Sequence, residues 1–471
     1  MNVRACLGLS LGLCLGWSAA TGHAQSAQAA PNWGPFTKQP ERSSLPNGLT
    51  IITVPWASPG IVAYYTLVRV GSRDEVEKGH SGFAHLFEHM MFRGTERYPE
   101  KAYEAAIQNL GADNNAYTSQ DFTLYTVTAP AVALAQIVEL EADRFQHLSY
   151  TEEVFRTETG AVLGEYNKSA SSPFLKMWET LSELAYRSHT YGHTTIGYLP
   201  DVQAMPDKYA YSQAFFKRFY TPDNATVIVA GDVSHADVVA RVTAAYGGWT
   251  GKRDQPTVPV EAAPTASASR HLAWDGSSPP RMFVGYRGPA FCEGGGELGA
   301  CLRDAAALEV VHGLLFSASS SLYQRMVVDE QRLLELSSWT SNYSRDPGLF
   351  VIDAELKPDT KFEVVQSAIQ QAIDEVVAGK IDAERVAAVR SHLSYRLTLD
   401  VETASDAADT LAQFIALTGR TDTLPAFLHA LSQVTPEDLT RVARQYLGAA
   451  RRVVVTLAPR AEADAKKEAA R

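Results

Sequence analysis

The chain has 471 residues, of which 45% are hydrophobic and 20% charged, so it can bury the cores of about two to four domains and is not a disordered chain. Its formal net charge of -11 argues against a nucleic-acid surface, because phosphate contacts need clustered Lys and Arg and the sequence holds no such run. Cationic or neutral peptides suit that charge better.

Residues 1–24 read as an export signal. Arg4 lies in a short basic region, an apolar stretch follows to about Ala20, and small residues end at Gly22-His23-Ala24, with cleavage expected after Ala24. The mature chain is then expected across the inner membrane, in the periplasm, with no later membrane span. Cys6 and Cys14 leave with the signal, while Cys292 and Cys301 remain, either closing a small loop through Glu293-Gly294-Gly295-Gly296 or standing as two free thiols.

Residues 31–46 are polar and Pro-rich, an arm along a surface, with order beginning near Leu45. Residues 49–55 and 61–70 read as two strands joined by Ala57-Ser58-Pro59-Gly60. Helices are expected over 82–92 and 100–109, the second ended by Gly111. Residues 116–128 alternate polar with apolar side chains and read as one strand, and helical patterns follow over 131–145 and 152–167. Helices and strands in irregular order predict an α+β fold.

An internal echo runs through the chain. Met205-Pro206-Asp207 opens a helix that leads into the strand 225–230, and Thr435-Pro436-Glu437-Asp438 opens one that leads into 452–457. Two homologous domains, each an antiparallel sheet packed with helices, are the simplest reading. We place them at 31–250 and 270–459, with a Pro/Thr/Ala/Ser-rich linker at 251–269 and a charged tail at 460–471.

His85-Leu86-Phe87-Glu88-His89 lies inside an apolar-periodic helix. Four residues advance a helix by about 400°, so both imidazoles point the same way and can share one metal. Glu88 lies on the flank of that face, placed to take a proton from an attacking water without being a ligand. A catalytic zinc needs a third protein ligand. The segment 152–167 offers Glu152, Glu153, Glu158 and Glu165, and Glu158 and Glu165, seven apart, share one face. One could reach the metal while the other orients an imidazole from behind.

Here the sequence resembles the pitrilysin-like inverzincin peptidases, the family that includes the mitochondrial processing peptidases and carries the motif H-x-x-E-H. The resemblance extends to Gly79-His80-Ser81-Gly82-Phe83-Ala84, Met90-Met91-Phe92-Arg93-Gly94-Thr95, Asn115-Ala116-Tyr117-Thr118 with Asp121 and Tyr125, Tyr191-Gly192-His193, and Tyr220-Thr221-Pro222-Asp223-Asn224-Ala225. It implies that Glu165, which follows His89 by 76 residues, is the third ligand of one Zn2+ per chain and that Glu158 supports the metal site. It implies a peptidase shaped as half of a clamshell, and an edge strand at Asn115, Ala116 and Tyr117 that holds peptide substrates as an added strand. The plainer reading of that strand is a turn capped by Asn115 and a core position for Tyr117. His80, His189 and His193 are expected to be packed or hydrogen-bonded histidines, and Co or Mn could occupy the same ligands as zinc.

The family usually brings an Arg and a Tyr, seven positions apart, to the site from a C-terminal domain. Along residues 322–334 the matching positions hold Val327 and Leu334, with Tyr323 and Arg325 nearby. Neither Val nor Leu donates a hydrogen bond, and losing one preorganised donor costs about two to three decades in rate. A homologous subunit supplying the pair is therefore expected, making this the zinc-bearing half of a heterodimer with a shared chamber; a homodimer is the competing assembly. The rival function is a non-catalytic subunit that keeps the fold for assembly or peptide binding.

Overall fold

Runs of β-branched and aromatic residues gather into two sheets, each packed with helices, in an α+β architecture. The computed structural model describes residues 34–460 apart from 37, 293–297 and 341–342. The export signal, the tail beyond 460 and Gly294, Gly295 and Gly296 between the two cysteines lie outside the described residues.

β1 (Glu41–Ser44), β2 (Thr50–Pro55), β3 (Ile61–Val68), β4 (Asp113–Thr118), β5 (Thr123–Pro130) and β6 (Ala225–Gly231) form the first sheet, in the order β1-β2-β6-β3-β5-β4. β7 (Ala268–Trp274), β8 (Arg281–Arg287), β9 (Leu333–Thr340), β10 (Leu349–Leu356) and β11 (Arg452–Pro459) form the second, in the order β7-β11-β8-β10-β9. Leaving β1 aside, the orders match strand for strand, so β4 and β9 hold equivalent edge positions. Each sheet departs from antiparallel pairing once, at β2-β6 and at β7-β11. A parallel pair needs a long crossover, and here nearly a whole half of the chain runs between its two strands.

Five helices matter for the site: α1 (Phe83–Met90), α2 (Glu100–Asn109), α3 (Leu134–His147), α4 (Glu152–Ala170) and α5 (Pro173–Ala185). α4 starts at Thr151, whose hydroxyl accepts from the amide of Val154, and α5 starts at Ser172 with Pro173 in its first turn. α5 buries Met177 and Leu181 against Phe283, Val351 and Val455 of the second sheet. The helix that follows α4 directly is therefore seated on the other half of the chain.

The structure departs from the sequence reading in several places. Residues 116–128 are not one strand but the hairpin β4–β5, because the Ser119 hydroxyl accepts from the amides of Asp121 and Phe122 and closes a turn. Order begins before Leu45, since β1 pairs with β2. Pro206 lies in a separate 3-10 turn, Met205–Asp207, ahead of the helix Tyr209–Phe219, whereas Pro436 does open its helix, Pro436–Tyr446. One run, Cys301–Asp329, is long and apolar enough to cross a membrane, contrary to expectation; 56% of its most apolar window is buried inside the protein, and Ser320 caps a fresh turn within it. Cys292 and Cys301 are joined in a disulfide.

Polar contacts tie the two halves together. His189 Nε2 lies 3.0 Å from Asp346 Oδ2, Arg73 pairs with the same carboxylate, and Asp121 accepts from the amide of Arg345 at 3.0 Å. Burial raises the Asp346 carboxyl, but hydrogen bonds from His189 and Arg73 outweigh it and hold it down to about 2, against an ordinary 3.8. A depressed carboxylate stabilises the fold fully above its unfolded pKa, and that stability is lost as pH falls through the folded value. The window here runs from about pH 4 down to about pH 2. Asp346→Asn is expected to remove about 1 kcal/mol of stability at neutral pH, after allowance for solvent screening at a half-buried site, and to flatten the loss between pH 4 and 2 in urea unfolding.

Candidate metal centre

The helix that bears the histidines is fixed at its first turn. Gly82 caps α1 with φ +91, and a Cβ there would meet the Ile196 carbonyl oxygen at 2.6 Å, so no other residue fits. The buried Glu75 carboxylate accepts from the amides of Gly82 and Ala84 at 2.8 and 2.7 Å, meeting donors that a helix start leaves open. Phe83, Leu86, Phe87 and Met90 face the core, Phe87 stacking on Phe215 at 5.1 Å, which turns His85, Glu88 and His89 to the opposite flank. Tyr125 donates to the Phe87 carbonyl from below.

α4 lies against that flank and brings two of its glutamates to the imidazoles. His85 Nε2 is 3.5 Å and His89 Nε2 3.7 Å from Glu165 Oε2, and one ligand atom from each of the three residues lies within 4.8 Å of the others. Tetrahedral zinc with ligands at about 2.1 Å would hold them about 3.4 Å apart, which these spacings approach. Glu158 Oε2 stands 3.7 Å from His89 Nδ1, and its other oxygen is 3.3 Å from Arg93 Nε. Arg93 also pairs with Glu100 at the start of α2. Two imidazoles and a carboxylate, with a further carboxylate behind one ring, are a donor set that zinc takes.

The electrostatics follow from burial and from these neighbours. Burial, with His89 adding to it, pushes His85 down to about 4. Glu158 raises His89 against its own burial. Burial raises Glu88 above the ordinary carboxyl range, while Thr118 and His89 oppose the shift.

The centre opens into a cleft of about 750 Å³ whose walls come from both halves, with His85, Glu165, Trp178 and Thr194 on one side and Tyr343, Asp409 and Gln413 on the other. β4 borders the cleft as the outermost strand of its sheet. Asn115 Oδ1 accepts from the amide of Ala116, and Tyr117 packs on Phe122 and donates to Asp409 at 2.8 Å. The Tyr117 side chain is thus committed to holding the halves together, and what this edge offers a ligand is backbone. Val327, Leu334, Tyr323 and Arg325 are absent from the described lining of the cleft, and Leu334 is exposed on β9. His80 packs at a tilt on Tyr211, His189 meets Asp346 and His193 faces Glu75, and none of them is in the cluster of His85, His89 and Glu165.

Glu75 and Arg93 escaped the sequence reading as supports of the site. Arg93 stood in a recognised block but had no visible partner. Glu75 had no signal at all, because a carboxylate that caps a helix eight residues ahead of its own position fits no local capping pattern.

The chain is similar to known proteins along most of its length. Residues 60–198 match the family described as insulinase (peptidase family M16), and residues 209–393 match the peptidase M16 inactive domain. The chain belongs to peptidase family M16. It is similar to zinc protease PqqE of Helicobacter pylori, 27% identical and covering 97% of this chain and 99% of that one. The probable mitochondrial-processing peptidase subunit beta of Arabidopsis thaliana is 26% identical over 86% of this chain and 76% of its own. Among solved structures, a protease from Helicobacter pylori matches with a TM-score of 0.81 and 25% identity, covering 89% of this chain and 99% of that chain.

Proposed function

We propose that this chain is a zinc-dependent endopeptidase that hydrolyses short or unfolded peptides, acting as the catalytic subunit of a heterodimer in the periplasm. The observation that carries the reading is the approach of His85, His89 and Glu165 to one point at the wall of an open cleft, with Glu88 next to them on the histidine helix. Zinc bound there would polarise a peptide carbonyl and lower the pKa of water.

The chain's own residues supply the rest. A peptide pairs its main chain with the free edge of β4, which sets its register by backbone hydrogen bonds and tolerates many side chains. A Glu88 carboxylate oxygen takes the proton of the attacking water and delivers it to the leaving amine; burial makes it a better base than an exposed glutamate. Glu158 and Arg93 hold the ring of His89 in place. A homologous subunit would add the Arg and Tyr that Val327 and Leu334 cannot replace.

The test combines metal analysis with cleavage of an unstructured peptide. The expected result is one zinc per chain, cleavage lost on chelation and restored by zinc, and a gain of at least tenfold when a homologous subunit is added. A metal-loaded chain that cleaves nothing, alone or with such a subunit, would favour the second reading, a non-catalytic assembly or peptide-binding subunit. Val327 and Leu334 are the observation in favour of that reading.

A further inference from the structure

We infer that Thr194 and His193 are positioning residues for His85, gripping the ring nitrogen that faces away from Glu165 through one buried water. The inference rests on His85 being a metal ligand, as proposed above.

The two imidazoles of the centre are not served alike. His89 has Glu158 behind its Nδ1, whereas His85 Nδ1 is sealed from solvent and meets no protein hydrogen-bond partner. A ligating histidine nearly always gives its second N–H to a carboxylate, a carbonyl or a water, because that bond fixes the tautomer and the ring plane. Among the described residues, two further buried side-chain atoms without a partner belong to one short segment, His193 Nε2 and Thr194 Oγ1.

That segment is built against the helix carrying His85. His193 Nδ1 is 3.8 Å from Glu75, the same carboxylate that binds the amide of Ala84, the residue before His85. Thr194 lines the cleft together with His85. The following turn is wedged onto the start of α1: Gly197 has φ +91, and a Cβ on it would meet Gly82 N at 2.8 Å. The backbone amide of Tyr198 donates to the hydroxyl of Ser81 at 2.9 Å. Thr194 is therefore held in fixed relation to the first turn of α1.

The hydrogen inventory closes on one water. With Nε2 turned to the metal position, the His85 ring carries its hydrogen on Nδ1 and donates. His193 Nδ1 lies 2.9 Å from the Thr194 carbonyl, which only accepts, so its hydrogen is there and its Nε2 is an acceptor. A water receives from His85 Nδ1 and donates to His193 Nε2 and Thr194 Oγ1, and about three bonds to otherwise unmet groups is the usual complement of a buried water.

The test measures zinc affinity of the full chain by chelator competition, for the wild type, Thr194→Val, Thr194→Ser and His193→Leu, and adds a crystal structure of the wild type fine enough to show ordered water. Thr194→Val, which keeps the shape and loses the hydroxyl, is expected to weaken zinc binding by about 10- to 100-fold, and Thr194→Ser to recover most of it. The crystal should hold a water within hydrogen-bond reach of all three atoms. Wild-type affinity in both Thr194→Val and His193→Leu, or a crystal with no water joining the three atoms, overturns the inference. A wild type that takes up no zinc would instead sink the enzyme reading, while the crystal would still decide on the water.

Discussion

Glu88→Gln is expected to keep one zinc per chain and lose about two to four orders of magnitude in kcat, the share that a positioned general base contributes. The substitution is nearly isosteric and spares the three ligands, so metal content and KM for a peptide should change little. Glu88 is on the helix that bears both histidines, borders Thr118 at the end of β4, and has its carboxyl raised by burial. Gln keeps the hydrogen bond to Thr118 and cannot accept a proton. Metal analysis beside steady-state kinetics separates the effects, and a variant that cleaves at the wild-type rate would remove Glu88 from the chemistry.

The second large effect is on stability. Arg144 and Glu141 form an ion pair at 2.5 Å with side chains only 2% and 1% exposed. The guanidinium is ringed by Phe92, Tyr103, Tyr125 and Phe145 with centroids 5.0 to 5.3 Å away, and Tyr103 donates to the other oxygen of Glu141. Burial would drive Arg144 toward neutrality, but the charge of Glu141 more than offsets it. Glu141→Gln leaves that cation without a counter-charge in an apolar site, and breaking one partner of a buried pair costs about 3 to 5 kcal/mol. The measurement is the urea midpoint of the variant. Glu141→Gln combined with Arg144→Met should recover much of the loss, since an apolar side chain has no charge to neutralise. If the double variant is no more stable than the single, the pair is not what holds this core.

The cluster of His85, His89 and Glu165 was legible because its spacing is a property of helices: two histidines four apart must share a face, and two glutamates seven apart must share another. The choice of Glu165 over Glu158 as ligand came from the family resemblance alone; in the structure Glu165 lies in the three-residue cluster and Glu158 stands behind His89. The β4–β5 hairpin was missed because Ser119, Gln120 and Asp121 carry neither Gly nor Pro, and the turn is made by a side-chain hydroxyl instead. The contacts of Tyr117 with Asp409 and of Asp346 with His189 span 292 and 157 residues. No local pattern encodes such pairs, so the joint between the halves, and with it the far wall of the cleft, could come only from the fold.

The seating of α5 on the second sheet has a mechanical consequence. Glu165 rides on α4, which packs Phe155 and Val162 into the same core as the helix bearing His85 and His89, while its continuation α5 is anchored on the second sheet. The α4–α5 pair thus bridges the two cores with Glu165 within two turns of the joint, so strain in that joint reaches the carboxylate through the helix on which it sits.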